Sequence, residues 1–253
     1  MRSGLCAIAL LAAPAALALA ASTVAAPRPV PASDLLISRS SPEIDWRWRM
    51  APEAATAPTL LAVMRGEATK EATRARTEAI SDAASARKAG FPFRRHAASV
   101  DWSLAADTQR LLALTGETSS FTGGAHGNIG YGSRIWDKVA RRSIAFDALF
   151  TNWPQARAIL QPAFCKALAD EQRQRLGTVP RDEMHACPKL AEQPATPWAG
   201  LTPLAGQMRV MVAPYVAGPY AEGSYIVSLP WPEAVRPLVK PVYRRDLFGP
   251  SGP

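Results

Sequence analysis

The feature that most restricts the fold is a set of alternating apolar and polar residues interrupted by one glycine-rich loop. Residues 96–105 and 129–137 alternate with a period of two, which is typical of half-buried β-strands. Between them, in residues 119–130, four glycines lie within four positions of His126. Glycine permits tight turns, so the sequence predicts consecutive antiparallel strands with His126 in a turn.

The flanking segments extend this pattern to a mixed fold class. Residues 43–50 alternate, with Trp46 and Trp48 on the apolar face, and residues 59–88 are rich in helix formers. The second half of the predicted helix is polar, so we expect only its first half to be anchored firmly. The sequence predicts an α+β fold in which an antiparallel meander packs against helices, not a βαβ unit.

A smaller α+β portion is predicted to follow. Residues 153–176 have helical character, and residues 208–212 and 225–229 alternate as a pair of strands. We therefore divide the chain into an N-terminal portion, residues 36–152, and a C-terminal portion, residues 153–248. Residues 249–253 are polar and rich in helix and strand breakers, and we expect them to form a frayed tail.

The N-terminus predicts export. Arg2 precedes an alanine- and leucine-rich run with small residues before position 27, which is typical of a signal peptide spanning residues 1–26. A retained membrane anchor is the alternative, although the run is short for a span. Residues 27–35 are predicted to be an extended leader. We expect a periplasmic or secreted protein without a stable membrane span after processing.

The charge balance favours acidic partners. The chain carries a formal net charge of +8, and cleavage of the signal peptide would remove one positive charge, that of Arg2. A basic surface attracts acidic envelope polymers or phosphate-bearing lipid. Nucleic acid is not predicted as a partner, because the basic residues are scattered and no nucleic-acid-binding motif is present.

Two cysteines remain after the predicted cleavage, which would discard Cys6. Cys165 and Cys187 are expected to form a disulfide in an oxidising compartment. The alternative is a zinc site made by both cysteines and His185, but this set lacks the fourth ligand that structural zinc requires.

Two motifs together resemble a known family. The stretch "SSFTGGAHGN", followed by "AFDALF", and the later stretch "VMVAPYVAGPYAEGSYIVSLPW" resemble the extracellular module of the peptidoglycan deacetylase PdaC and of the anti-sigma protein RsiV. The resemblance covers residues 36–248. Residues 36–152 resemble the PdaC module, and residues 153–248 resemble the RsiV-type portion. It implies an accessory module in PdaC, separate from the metal-dependent catalytic domain, and a lysozyme receptor in RsiV. No metal or other cofactor is predicted.

The two motifs supply the candidate site residues. Gly123, Gly124 and His126 either form a structural turn, in which His126 hydrogen-bonds the neighbouring backbone, or place His126 as a catalytic base. No nucleophile elbow or phosphate-binding loop accompanies them. Ligand recognition is compatible with the structural role. We therefore predict these three residues as ligand-binding and assign no catalytic residue.

The second motif contributes Tyr215, Gly218 and Tyr220. The tyrosines would form either an aromatic platform for sugar rings or a buried corner between strands. The acids Asp101, Glu117 and Asp137 have no distinguishing context in the sequence.

The sequence thus predicts a non-catalytic periplasmic binding or accessory protein of the cell envelope. Its expected ligand is peptidoglycan or another cell-wall glycan, with a lysozyme-type protein as the second candidate. The competing hypothesis is a small cell-wall hydrolase or deacetylase that uses His126.

Overall fold

The computed structural model describes residues 31–199 and 204–249. The predicted signal peptide, the first four residues of the leader and residues 250–253 of the predicted tail lie outside the described residues. The described part of the leader includes a short 3-10 helix, Ala32–Leu35, and is not extended throughout. Within the described ranges, none of the helices combines the length and apolar character needed to span a bilayer.

The main sheet has six strands that lie side by side in chain order. Every neighbouring pair is antiparallel except the second and third strands, which are parallel. The strands are β1 (Leu36–Ser40), β2 (Ile44–Arg49), β3 (His96–Asp107), β4 (Leu111–Phe121), β5 (Asn128–Asp137) and β6 (Arg142–Ile144).

The parallel pair corrects one part of the prediction. Helix α1 (Pro58–Lys88) connects β2 to β3, so these elements form a βαβ unit beside the predicted antiparallel meander of β3 to β6. A 31-residue helix can carry the chain back along the sheet, whereas antiparallel neighbours need only a short turn. The α+β fold class is confirmed, and the exclusion of a βαβ unit was wrong.

Helix α1 packs on one face of the sheet, with buried residues from Leu60 to Ala83. Near its start, Leu60 and Met64 share a core with Trp46 and Trp48, whose alternation on β2 turns both indoles inward. Farther along, the buried residues are alanines, among them Ala79. Small side chains let the polar second half of the helix lie close to its neighbours. The expectation that only the first half is anchored was therefore wrong.

The second core lies on the opposite face of the sheet. There, Leu111 and Ile135 pack against Leu160 and Phe164 of α2 (Trp153–Leu176). The remaining elements of this part are a three-stranded antiparallel sheet and a short C-terminal helix: β7 (Ala195–Trp198), β8 (Gln207–Val212), β9 (Tyr225–Pro230) and α3 (Pro241–Phe248). This core contains residues from both predicted portions, which pack against one another.

The limits of α2 follow from its caps. The Asn152 side chain accepts a hydrogen bond from the Gln155 backbone N–H, and Pro154 lies in the first turn, where its missing N–H costs nothing. The helix ends at Gly177, whose φ of 75° lies in the left-handed region that favours glycine. The predicted helix over residues 153–176 is confirmed.

A network around the buried carboxylate of Asp137 joins the main sheet to α3 and includes an ion pair with the partly exposed Arg110. The Asp137 carboxylate at the end of β5 accepts hydrogen bonds from Arg110 Nε at 3.0 Å and from the Tyr243 hydroxyl of α3 at 3.0 Å. The backbone N–H groups of Val139 and Ala140 also donate to it. Burial alone would raise the pKa of Asp137, but the hydrogen bonds from Ala140, Arg110 and Tyr243 hold it below its usual value.

The disulfide prediction is confirmed. Cys165 on α2 bonds to Cys187 with an S–S distance of 2.02 Å and a Cα–Cα distance of 5.5 Å, so neither sulfur is available as a thiolate ligand. Beside it, the Gln161 side-chain amide donates to the Pro188 carbonyl and accepts from the Leu190 backbone N–H. The disulfide and this amide together attach the chain after Gly177 to α2.

We expect Asp137→Asn to lower the free energy of unfolding by about 3 to 5 kcal/mol, because it leaves the Arg110 guanidinium without its charge partner. The matched control is Asp107→Asn, which removes a more exposed ion pair to Lys138 and should cost about 1 kcal/mol or less. Urea unfolding of both variants checks this.

The pH dependence gives a second readout for Asp137. Because its folded pKa is lowered, its stabilising contribution is present above the ordinary value of 3.8 and is lost as the pH falls through the lowered pKa. Equal costs for the two asparagine variants would contradict the role of Asp137.

We expect replacement of both cysteines by alanine to lower the free energy of unfolding by about 3 kcal/mol, from the loop that the disulfide closes in the unfolded chain. Unfolding curves with and without reductant measure this. The unfolding curve of the wild type should shift to lower denaturant on reduction, and that of the double variant should not. An unchanged wild-type curve after reduction would contradict the prediction.

Candidate functional site

The first predicted motif forms the turn between β4 and β5, residues 122–127, which we call the histidine loop. Gly123 has a φ of 92°, in the left-handed region, and a β-carbon there would lie 3.3 Å from Cβ of Arg94. Glycine is required at this position for both reasons. Gly124 does not need this freedom, since its φ is not positive and a β-carbon there would meet open space.

The second motif forms the connection between β8 and β9, residues 213–224, which we call the tyrosine loop. Tyr215 has a φ of 70°, an unusual conformation for a residue with a bulky side chain. Its backbone N–H donates to the Gly218 carbonyl at 3.1 Å, which closes a tight turn. The Tyr215 side chain is 60% exposed, so the buried-corner alternative was wrong for this residue.

The two loops meet in a group of three rings that we call the aromatic cluster: His126 and Tyr215, which are exposed, and Tyr220, which is half-buried. The imidazole stacks on the Tyr220 ring, with centroids 3.8 Å apart and planes inclined by 21°. The Tyr215 ring lies 5.6 Å from that of Tyr220. His126 thus forms one surface feature with two tyrosines that lie at least 89 positions away in the chain.

Hydrogen bonds fix the orientation of the imidazole. His126 Nδ1 lies 2.8 Å from the Gly127 carbonyl, which can only accept, so Nδ1 carries a proton. The Tyr215 hydroxyl lies 3.3 Å from Nε2, to which it donates when the ring is neutral. The predicted backbone hydrogen bond of His126 is confirmed. Within residues 31–199 and 204–249, no carboxylate makes a hydrogen bond or ion pair with this ring.

A second histidine, His185, supports the tyrosine loop through a contact with Glu222. His185 Nε2 lies 2.8 Å from Glu222 Oε1, and His185 Nδ1 lies 2.7 Å from Asp182 Oδ1. The Tyr225 hydroxyl donates to the other oxygen of Glu222 at 2.5 Å. Gly218 lies against this group, and a β-carbon there would be 3.1 Å from Glu222 Cδ. Gly218 is therefore packed against the support of the loop.

This arrangement changes the acidity of each group. Hydrogen bonds to Glu222 and then to Asp182 raise the pKa of His185. Burial would raise the pKa of Glu222, but hydrogen bonds from Tyr225 and His185 lower it overall. Burial, together with the Glu222 carboxylate, raises the pKa of Tyr225 to about 12. Each nitrogen of the His185 ring therefore faces a carboxylate oxygen, an arrangement in which the protonated ring can donate to both.

A shallow groove lies beside the aromatic cluster, on the face of the main sheet that α1 does not cover. We call it the open groove; its volume is about 420 Å³. Its floor is low because β3 and β4 present small side chains there, including the cross-strand pair Ser99 and Ser119. Its lining also contains Gly127, the residue that follows His126. The histidine loop thus borders the groove through Gly127, although none of the three cluster rings lines it.

Two of the acids without sequence context lie next to this groove. Asp101 and Glu117 are directly opposite each other on β3 and β4, beside a smaller hollow of about 200 Å³ that Arg209 also lines. Asp101 is paired with Arg49 at 2.7 Å, and Arg47 lies 3.7 Å away. Asp137 lies elsewhere, in the buried network with α3.

Sequence reasoning identified the surface of the site but not its support. All six predicted site residues lie in the two loops that meet, and their ligand-binding role stays a prediction. The contribution of His185 was missed as a support for the loop, because only proximity in the fold joins it to Glu222. Among the described residues, no group of three or more potential ligands has a geometry that would hold a metal ion.

We expect the contribution of His185 to the free energy of unfolding to vary with pH. Because its pKa is raised, the contribution is full below the ordinary value of 6.5 and declines as the pH rises through the raised value. The lowered pKa of Glu222 sets the acid limit, since its contribution is present above 4.5 and is lost as the pH falls through the lowered value. The stability difference between wild type and His185→Gln should therefore be largest near pH 5 to 6. A difference that stays constant up to pH 9 would contradict it.

Comparisons with known proteins agree with part of the predicted resemblance. The family model for deacetylase PdaC matches residues 51–129, a segment that contains α1, β3, β4 and the histidine loop. The search of curated proteins found no significant match.

Solved structures show where a similar fold occurs. A member of the DUF3298 family from Bacteroides fragilis has a TM-score of 0.52 and 15% identity, covering 82% of this chain and 88% of its own. A DUF3298 family protein from Pseudomonas aeruginosa PAO1 has a TM-score of 0.49 and 14% identity, covering 81% of this chain and 91% of its own. The chain is therefore similar to deacetylase PdaC over residues 51–129 and shares its overall fold with the Bacteroides protein.

Proposed function

We propose that this protein is a non-catalytic binding module of the cell envelope that recognises peptidoglycan. In this proposal it acts in the periplasm or as a secreted protein, after removal of the signal peptide. The aromatic cluster contacts the sugar rings, and the open groove accommodates the adjoining part of the polymer.

The observation that carries the proposal is the aromatic cluster on the loop that borders the open groove. Sugar rings have apolar faces that pack on aromatic side chains, and a platform must be rigid to bind without a large loss of entropy. The turn at Tyr215, the stack of Tyr220 on His126 and the support from His185 provide that rigidity.

Charge supports an acidic polymer as the ligand. The chain has a formal net charge of +8, and Arg47 and Arg95 border the face that carries the open groove. Peptidoglycan bears carboxylates on its peptides, and complementary charge favours encounter with them. Asp45, which pairs with Arg95, leaves this region mixed in sign, so we expect binding to weaken with salt but to persist at moderate ionic strength.

The surroundings of His126 favour binding over catalysis. A catalytic base needs a partner that orients it and a proton to remove within hydrogen-bond reach. Here the Gly127 carbonyl orients the ring through Nδ1, but the neighbour of Nε2 is the Tyr215 hydroxyl, which occupies the position that a substrate proton would need. The match of residues 51–129 to the deacetylase PdaC model supports the assignment to the envelope.

A lysozyme-type hydrolase is the competing partner, suggested by the resemblance of the C-terminal portion to RsiV. Binding a basic lysozyme calls for an acidic patch, and the pair Asp101 and Glu117 offers two adjacent carboxylates. Arg49 already neutralises Asp101, so we favour the glycan. Immobilised lysozyme therefore serves as a second arm of the test.

We expect Tyr215→Ala to lower retention on insoluble peptidoglycan by about tenfold, the size of effect that loss of a central aromatic contact produces. Tyr215→Phe keeps the ring and should bind within about twofold of wild type, since the ring supplies most of the contact. Sedimentation with purified peptidoglycan at low and moderate salt measures both.

Absence of wild-type retention at either salt would contradict peptidoglycan binding, and retention on lysozyme alone would favour the competing partner. Release of acetate or soluble sugar by the wild type that His126→Ala abolishes would overturn the non-catalytic assignment.

A further inference from the structure

An aromatic side chain projects from the end of α1 without a partner in the core. Phe91 is 70% exposed, more than any other large apolar residue in the described part of the chain. It follows Gly90 and precedes Pro92 in the short segment between α1 and β3.

The backbone holds this aromatic residue in a fixed position. Gly90 has a φ of 74°, its N–H donates to the Arg87 carbonyl, and the Phe91 N–H donates to the Ala86 carbonyl at 2.9 Å. These two bonds define a Schellman motif, in which the residue at the Phe91 position usually packs back on the helix. Here it stays exposed, so an ordered turn presents an apolar ring to its surroundings.

Basic side chains surround the ring. Arg87, Lys88 and Arg94 are exposed, and none of them forms an ion pair with a carboxylate in residues 31–199 and 204–249. Arg95 does have a partner, Asp45 at 2.6 Å. The nearest acid along the helix, Asp82, lies 3.6 Å from His96. We call residues 87–94 the basic tip.

We propose that the basic tip docks this protein on an anionic lipid surface, with Phe91 entering the headgroup region. An aromatic ring flanked by cations is the composition of interfacial membrane anchors: the ring partitions among the lipids and the cations contact acidic headgroups. Phe91 is the one large apolar side chain of the tip that is exposed, since Phe93 is half-buried beside a hollow that Pro92 and Arg94 also line. Protein interfaces, by contrast, usually bury several such residues in complementary pockets.

The position of the tip also orients the candidate site. The Arg94 guanidinium donates to the Gly124 carbonyl at 3.3 Å, so the basic tip lies against the histidine loop. The aromatic cluster is therefore at the same end of the molecule as the tip. Docking through Phe91 would hold the glycan-binding surface close to the membrane, where a wall polymer comes nearest to the lipid.

The test uses protein purified from the extracytoplasmic fraction, so that all variants carry the same N-terminus. Flotation with vesicles of phosphatidylcholine and phosphatidylglycerol is compared with flotation on phosphatidylcholine alone. We expect binding to the anionic vesicles only, and Phe91→Ser to lower the partition coefficient by about tenfold, since one phenylalanine is no longer buried. Lys88→Gln should lower it by about fivefold.

Val139→Ser is the matched control. Val139 is 67% exposed and lies near Arg141 in the turn between β5 and β6, at the opposite end of β5 from the histidine loop. Binding of this variant should equal that of the wild type. Equal losses in Val139→Ser and Phe91→Ser would overturn the assignment to the basic tip.

Other outcomes also decide the question. Equal flotation of wild type and Phe91→Ser, or no flotation on anionic vesicles, would overturn membrane docking. So would capture of soluble anionic polymer with the same dependence on Phe91 but without vesicle binding. Peptidoglycan retention is measured separately on Tyr215 variants, so failure of one proposal leaves the other intact.

Discussion

The arrangement of the molecule depends on the buried carboxylate of Asp137. It holds Arg110, the Tyr243 hydroxyl and two backbone N–H groups, and so joins the C-terminal helix to the end of the main sheet. Separating a buried charge from this many partners is costly, so the network fixes where α3 meets the end of the sheet. Apolar contacts of Leu111 and Ile135 with α2 keep the second core against the sheet face. With that core in place, the tyrosine loop meets the histidine loop.

Several local contacts then fix the position of the tyrosine loop and its aromatic rings. The disulfide attaches the segment after α2 to the helix, this segment carries His185, and His185 holds Glu222 under the tyrosine loop. The strained backbone of Tyr215 persists because the surrounding bonds fix it, as is common where a side chain must be held in an exposed position. These contacts therefore hold the rings of the cluster in fixed positions, which reduces the entropy that is lost when a ligand binds.

Local patterns in the sequence predicted most of the elements but not all of their relations. Alternation identified the strands, and the turn at His126 with its backbone hydrogen bond followed from the adjacent glycines. The parallel pairing of β2 with β3 did not follow, because a period of two is the same in parallel and antiparallel strands. The burial of Ala79 and Ala83 escaped notice because alanine contributes little to an apolar pattern. The pairing of His185 with Glu222 could not be predicted, since 37 positions separate them and no motif joins them.

Binding at the aromatic cluster is best tested by NMR of the ring resonances during titration with a soluble disaccharide-peptide fragment of peptidoglycan. We expect shifts for the rings of His126, Tyr215 and Tyr220, while His96, buried on the opposite face of the sheet, stays unchanged. Saturable binding that leaves the resonances of the three cluster rings in place would contradict it.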